Sequence, residues 1–319
     1  MNNNNKRFNP YVSVDAGEVI VISGIAGRFP NSDNMKEFQE NLFNKMDLGS
    51  EDHRWTNYAY EMPAQMGKMD NIEKFDAKFF NMSIEEAHTL DPGIRILLEN
   101  TYAAIIDAGV NPAELQGTRT EVVTAMSNSE TSLNVIYEKP HIAGLPMLGC
   151  SKSMLANRIS YFLNVTGPSY NIDTACSTSS LTMVKAYNLI RSEYCDAAIV
   201  ASVSLCIYPQ VTQQFYLLGV LSADGYCKPC DEEGTGYMRS EAATVVFLQK
   251  AKDKLMALAT GTVAGDPVKF QAIDEALCIK RDFPLLMGSV KSNIGHSEPV
   301  SGHCQIAKVN LQQRFTKWS

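Results

Sequence analysis

No stretch of this sequence approaches the ~20 consecutive apolar residues of a membrane-spanning helix, which excludes a helical integral membrane protein. Nor is there a run of lysine or arginine. With 28 basic residues against 35 acidic ones and a net charge of -7, nucleic acid and anionic membrane are excluded as natural partners. Met1 to Pro10 is polar and Asn-rich and lacks the apolar core of a secretory signal, so a cytoplasmic location is expected. In that setting the eight cysteines read as reduced thiols. Cys227 and Cys230 form a C-x-x-C, yet no second pair and no histidine at ligand spacing accompany them. Neither a metal site nor a redox pair is expected there. No internal repeat appears, and the only low-complexity tract is the Asn run of the leader.

What is present is apolar residue in quantity: 45% of 319 residues are hydrophobic, enough for one large domain or two intimate halves. Residues 1–17 read as a disordered leader without periodicity. Val19 to Ile25 is a β-branched apolar run that predicts a strand buried on both faces of a parallel or mixed sheet. Ser32 to Asn44 predicts a helix after an Asx/Ser start. Asp91 to Gly109 predicts the clearest one, with Pro92 near its start, Gly109 past its end, and Ile96, Leu97, Tyr102, Ile105 and Ile106 along an apolar side. Glu121 to Met126, Ala197 to Leu205 and Ala242 to Leu248 read as further buried strands. Strands alternating with helices imply an α/β layered fold. Tyr208 to Glu241, rich in Gly and Pro, reads as a long functional loop.

The stretch around which the rest is arranged is Tyr170 to Leu181, Y-N-I-D-T-A-C-S-T-S-S-L. A short apolar approach ends at Cys176, and an amphipathic segment follows to about Arg191, with Leu181, Val184, Tyr187 or Asn188 and Arg191 on its apolar side, filled in by Ala186, Leu189 and Ile190. Cys176 is thus predicted to sit where a strand turns into a helix, a junction whose backbone N–H groups favour a thiolate nucleophile. The plainer alternative is a small apolar core residue. Ser177, Thr178, Ser179 and Ser180 suit a first turn, because their hydroxyls can satisfy local backbone groups.

D-T-A-C-S-T-S-S-L resembles the nucleophile motif of the β-ketoacyl synthases, the condensing enzymes of fatty acid and polyketide synthesis. V-I-S-G-I-A-G-R-F-P from Val21, F-D-A-K-F-F-N-M-S from Phe75, D-P-G-I-R-I-L-L-E from Asp91 and A-N-R-I-S-Y-F-L-N-V-T-G-P-S from Ala156 follow that family in order. So do L-G-V-L-S-A-D-G-Y-C-K from Leu218, G-Y-M-R-S-E from Gly236 and K-S-N-I-G-H from Lys291. Within the family the chain is similar to the synthase domain of animal-type (type I) fatty acid synthases, with modular polyketide synthases the near alternative. The resemblance implies a thiolase-like fold of two related α/β halves, here residues 18–250 as the nucleophile half and 251–319 as a partial second half. It implies an acyltransferase: acyl loading on Cys176, then decarboxylative Claisen condensation, with His296 stabilising the enolate and Lys291 in support. It implies a homodimer and an acyl carrier protein presenting acyl and malonyl groups on phosphopantetheine. No cofactor is implied for this domain, and NADPH would belong to other domains.

The departures from the family pattern carry equal weight. Where the first active-site histidine belongs, in L-A-T-G-T-V-A-G-D-P, the chain has Leu258, with Ala259 in place of a glycine. Leucine donates no hydrogen bond, and losing one of two oxyanion donors costs about 3 kcal/mol or more of transition-state stabilisation. Only K-A-K-D-K-L-M-A separates Gln249 from that motif, which reads as an internal deletion near 250–257. The sequence ends at Ser319 ahead of the glycine-rich loop that completes the oxyanion hole. Ala201 and Ser202 replace small glycines, and E-V-V-T-A-M replaces a glycine-rich strand end; both read as drift, with overpacking of ~1 to 3 kcal/mol each. Two readings follow: a working synthase, or a remnant that loads an acyl group without extending it. A cysteine hydrolase pairing Cys176 with His296 or His303 lacks an orienting motif, and His303 reads as structural.

Overall fold

The computed structural model describes residues 19–51, 54, 62–63, 65–137, 145–229, 231–250 and 290–316. The leader, the segment holding Leu258 and residue 230 of the C-x-x-C lie outside them. In chain order the elements are strand β1 (Ile20–Arg28), helix α1 (Met35–Phe43), strands β2 (Gly49–Glu51) and β3 (Gln65–Gly67), helices α2 (Ile84–Thr89) and α3 (Pro92–Asp107) and strand β4 (Thr120–Ala125). Then come helices α4 (Glu130–Tyr137), α5 (Leu145–Gly149) and α6 (Lys152–Leu163), strand β5 (Ser169–Ile172), helix α7 (Thr178–Arg191) and strand β6 (Ala197–Ser204). Helix α8 (Pro209–Leu217), strand β7 (Ala242–Lys250), helix α9 (Lys291–Ile294) and helix α10 (Ser301–Thr316) complete the described chain. None of the described helices is long and apolar enough to cross a membrane.

Five strands form one mixed sheet in the order β1-β7-β6-β4-β5, with β2 and β3 as a separate antiparallel pair. β4 runs parallel to both β5 and β6, while β7 is antiparallel to β6 and β1. All eight residues of β6 are buried because the sheet is covered on both faces, which is why the segment reads as a continuous apolar run. Alternate residues serve opposite layers. Ile199, Val203, Val245 and Phe247 pack with α3 and α6 through Ile96, Leu97, Leu155 and Ile159. Ala198, Val200 and Val246 pack with α7 and α10 through Ala186, Ile190, Cys304 and Ala307.

Local chemistry places these elements. Asn34 caps α1, its side chain accepting the Lys36 and Glu37 N–H groups at 3.0 Å. Asp91 caps α3 by accepting the Gly93 N–H at 2.7 Å, Pro92 opens the helix, and Gly109 follows its end at φ 69°. β1 differs from expectation: among the described residues it is an edge strand bonded only to β7, and its first residues are half-buried. The stretch from Tyr208 is also not all loop, since Pro209 starts α8. In α7 the buried stripe is Thr178, Ser179, Thr182, Ala186 and Ile190, whereas Val184 is 55% exposed. The helix turns its small residues inward because α10 crosses it closely. A Cβ on Gly302 would lie 2.8 Å from the Ser179 hydroxyl.

Candidate active site

β5 leaves the sheet at Asp173 and the chain reverses over a tight turn, Ala175–Ser177, before α7 begins. Ala175 sits at φ +51°, a left-handed conformation costing a non-glycine residue about 1 to 3 kcal/mol unless its surroundings enforce it. They do. The Ala175 N–H donates to Asp173 Oδ1 at 3.1 Å, and the Thr178 hydroxyl accepts the Thr174 N–H at 2.8 Å while donating to the Ala175 carbonyl at 2.6 Å. The Ser177 hydroxyl donates to the Thr174 carbonyl at 2.9 Å. Ser127 and Lys152 donate to the Asp173 carboxylate at 2.8 and 3.2 Å. Partial burial pushes that carboxyl up, but the Ala175 N–H, Ser127 and Lys152 outweigh it and hold it below the usual range. The result presents Cys176 as an exposed free thiol at the mouth of α7. Ser179 departs from its expected local role, since its hydroxyl accepts the Gly302 N–H of α10 at 3.0 Å.

Lys291 opens α9, Gly295 turns the chain at φ +80°, and His296 follows. The backbone of His296 is clamped to the segment before β7: its N–H donates to the Met238 carbonyl at 2.8 Å, and its carbonyl accepts the Ser240 N–H at 3.1 Å. Nδ1 accepts the Glu298 N–H at 3.2 Å and lies 2.7 Å from the Ser301 hydroxyl. A backbone N–H can only donate, so the neutral ring carries its proton on Nε2. The ring meets Tyr237 edge-on, with centroids 5.1 Å apart. Burial first, then the Glu298 carboxylate and in smaller part the Cys176 sulfur, push the Tyr237 hydroxyl up. The turn bearing Cys176 packs on the turn Glu298–Val300 and on α10. The turn bearing Cys176 and the turn that follows His296, distant in sequence, therefore lie against each other. The charge of Lys291 is felt at Cys227 and Cys304. Cys227 is a free, half-buried thiol whose sulfur accepts the Met238 N–H at 3.1 Å. Leu258 lies outside the described residues.

His303 is fully buried against the sheet, with Nδ1 at 2.6 Å from Ser202 Oγ and 3.1 Å from Thr244 Oγ1. Burial pushes it down to about 3, so it is a neutral core histidine. Ser202 is accordingly no drift: its hydroxyl also meets Thr244 at 2.9 Å and completes a buried polar cluster. Thr124 of β4 likewise bonds Asn171 Oδ1 at 3.1 Å, so its side chain has a partner and does not overpack the strand. Residue-by-residue reading missed Arg239. It is fully buried and bonded to Glu298, Glu130 and Thr212. The R in G-Y-M-R-S-E and the Glu two residues past His296 were the visible signals.

Residues 17–254 match the family described as Beta-ketoacyl synthase, N-terminal domain, and residues 225–315 match Beta-ketoacyl synthase, C-terminal domain. The chain belongs to the β-ketoacyl synthase family. Fatty acid synthase of Anser anser anser is 39% identical over 345 residues, covering 92% of this chain and 98% of that sequence. That alignment is longer than the 319 residues here, so the goose synthase carries residues with no counterpart in this ketosynthase chain. A phenolphthiocerol/phthiocerol polyketide synthase of Mycobacterium tuberculosis is 32% identical over 298 residues, 76% of this chain and 16% of that one. Among solved structures, an oxazolomycin ketosynthase domain of Streptomyces albus superposes with a TM-score of 0.80 at 28% identity, covering 92% of this chain and 64% of that one. The ketosynthase from module 6 of the bacillaene synthase of Bacillus subtilis 168 gives 0.80 at 29% identity, with 92% and 61% covered. The ketosynthase fold is thus thiolase-like, and this chain spans less than two thirds of either solved relative.

Proposed function

We propose that the chain is a β-ketoacyl-[acyl carrier protein] synthase of the fatty acid type, a carbon–carbon-forming acyltransferase acylated at Cys176. The reading is carried by one observation: the strained turn that exposes Cys176 packs directly on the turn that follows a buried, Nε2-protonated His296. In this mechanism the Cys176 thiolate attacks the thioester carbonyl of an acyl group on a carrier's phosphopantetheine arm, and the carrier thiolate leaves. A malonyl-thioester then loses carbon dioxide. The electron pair left on its α-carbon delocalises onto the thioester oxygen, where the His296 Nε2–H and the positive charge of Lys291 stabilise it. That carbon attacks the Cys176 thioester, the thiolate departs, and a β-ketoacyl-carrier forms. The higher identity to the goose fatty acid synthase than to the mycobacterial polyketide synthase favours the fatty acid pathway. The same reading places the protein in the cytoplasm as a homodimer, divided into a nucleophile half over 18–250 and a partial second half over 251–319.

Leu258 favours a second reading in which acylation at Cys176 survives and extension is impaired by about 100-fold or more. The experiment is to supply the acylated protein with malonyl-thioester and measure the β-ketoacyl product in wild type, Leu258→His and His296→Ala. Product from wild type that disappears in His296→Ala establishes the synthase, and product from Leu258→His alone establishes the impaired remnant. Equal product with and without His296 would sink both.

A further inference from the structure

Among the described residues, Arg239 heads the fully buried side chains by size. Its Nε donates to Glu298 Oε1 at 2.7 Å and its Nη2 to Glu298 Oε2 at 3.3 Å, a two-point grip on one carboxylate. Nη2 also donates to Glu130 Oε1 at 2.9 Å and Nη1 to Thr212 Oγ1 at 2.8 Å, while the Phe215 ring lies 4.9 Å from the guanidinium carbon. Three separate segments thus converge on one cation. Stability alone is a poor account of such a cluster, because a buried ion pair seldom outperforms apolar residues of the same volume.

The gripped residue is itself unusual. Glu298 stands at φ +47°, where a side chain is disfavoured, in the turn between His296 and α10. In that conformation its N–H reaches His296 Nδ1 at 3.2 Å. The other group on Nδ1, the Ser301 hydroxyl at 2.7 Å, also lies 2.7 Å from the Glu298 carbonyl; it can give its one proton to that carbonyl or to Nδ1, and so suits either tautomer. The direction of the Glu298 N–H decides between them.

We infer that Arg239 is a positioning residue for His296. By holding the Glu298 carboxylate at two points it keeps Glu298 in its left-handed conformation, keeps the Glu298 N–H on Nδ1, and so keeps the imidazole proton on Nε2. The inference deepens the proposed function, since an Nε2 proton matters there only if His296 is the enolate donor.

The test uses the full chain labelled with ¹⁵N-histidine, with long-range ¹H–¹⁵N spectra reporting which ring nitrogen is protonated and His296→Gln assigning the signal. Wild type gives the Nε2–H pattern. Glu298→Gln keeps an acceptor for Arg239 and retains it. Glu298→Ala removes the grip at a strained position and gives a mixture of tautomers; in protein that turns over malonyl-thioester, decarboxylation falls about 10-fold or more while acylation of Cys176 is unchanged. Arg239→Lys, which replaces a fork by a point donor, gives a partial mixture and serves where Glu298→Ala does not fold. A pure Nε2–H signal in folded Glu298→Ala or Arg239→Lys overturns the inference. Decarboxylation unaffected by His296→Gln instead overturns the role of His296, and the tautomer readout still decides the role of Arg239.

Discussion

Two residues test the account through their own chemistry. His303 has no solvent and bonds only hydroxyls through Nδ1, so burial holds it neutral down to about 3 against an ordinary 6.5. The native state then binds fewer protons than the unfolded chain across that interval. Its contribution is complete above pH 6.5 and is lost as pH falls toward 3, a loss of about 2 kcal/mol by pH 5. Urea unfolding at a series of pH values should show this slope in wild type and a shallower one in His303→Leu; equal slopes would contradict the burial argument. Thr178 makes a kinetic prediction. Its hydroxyl bonds both the Thr174 N–H and the Ala175 carbonyl, so Thr178→Val should cost about 1 to 2 kcal/mol and slow acylation of Cys176 by loosening the left-handed turn. A stability loss with an unchanged acylation rate would mean the turn holds without it.

At the scale of elements, β1 and α3 approach closely. A Cβ on Gly24 would lie 2.0 Å from the Ala104 carbonyl oxygen, at the point where the register of β1 shifts and the Ile25 N–H turns to Asp107 at 3.0 Å. Gly24→Ala must push helix from sheet, and a fall of about 3 kcal/mol in unfolding free energy is expected, read from the denaturant midpoint. Unaltered stability would mean that α3 can retreat freely. Elements of this kind were legible in the sequence wherever one local signal dominated. The Asp91–Pro92 start and Gly109 stop placed α3 within two residues, and continuous apolar runs placed β4, β6 and β7. The face of α7 was not legible, because a partner with small residues at the crossing draws Ser and Thr inward, and that partner lies more than 100 residues away. Nor was the role of Ser202, whose bond to His303 spans 101 positions.

For the whole molecule, the sheet ends at β5, bonded to β4 on one side only among the described residues. Tyr161 of the adjacent α6 is 85% exposed. An open edge carrying the approach to Cys176 is where a second copy would add, and sedimentation equilibrium should report a dimer; a monomer at all concentrations would contradict that proposal. The site itself was half legible. Cys176, His296 and Lys291 stand in contiguous motifs, whereas Arg239, Glu298 and Glu130 are ordinary charged residues until folding joins positions 59 and 109 apart. The central claim is that the chain builds one working thiol at the strand-to-helix turn. Intact-protein mass after incubation with a short acyl-thioester tests it most directly. One acyl group should add to wild type and to His296→Ala and be absent from Cys176→Ala. No adduct in wild type, or one that persists without Cys176, would contradict the account.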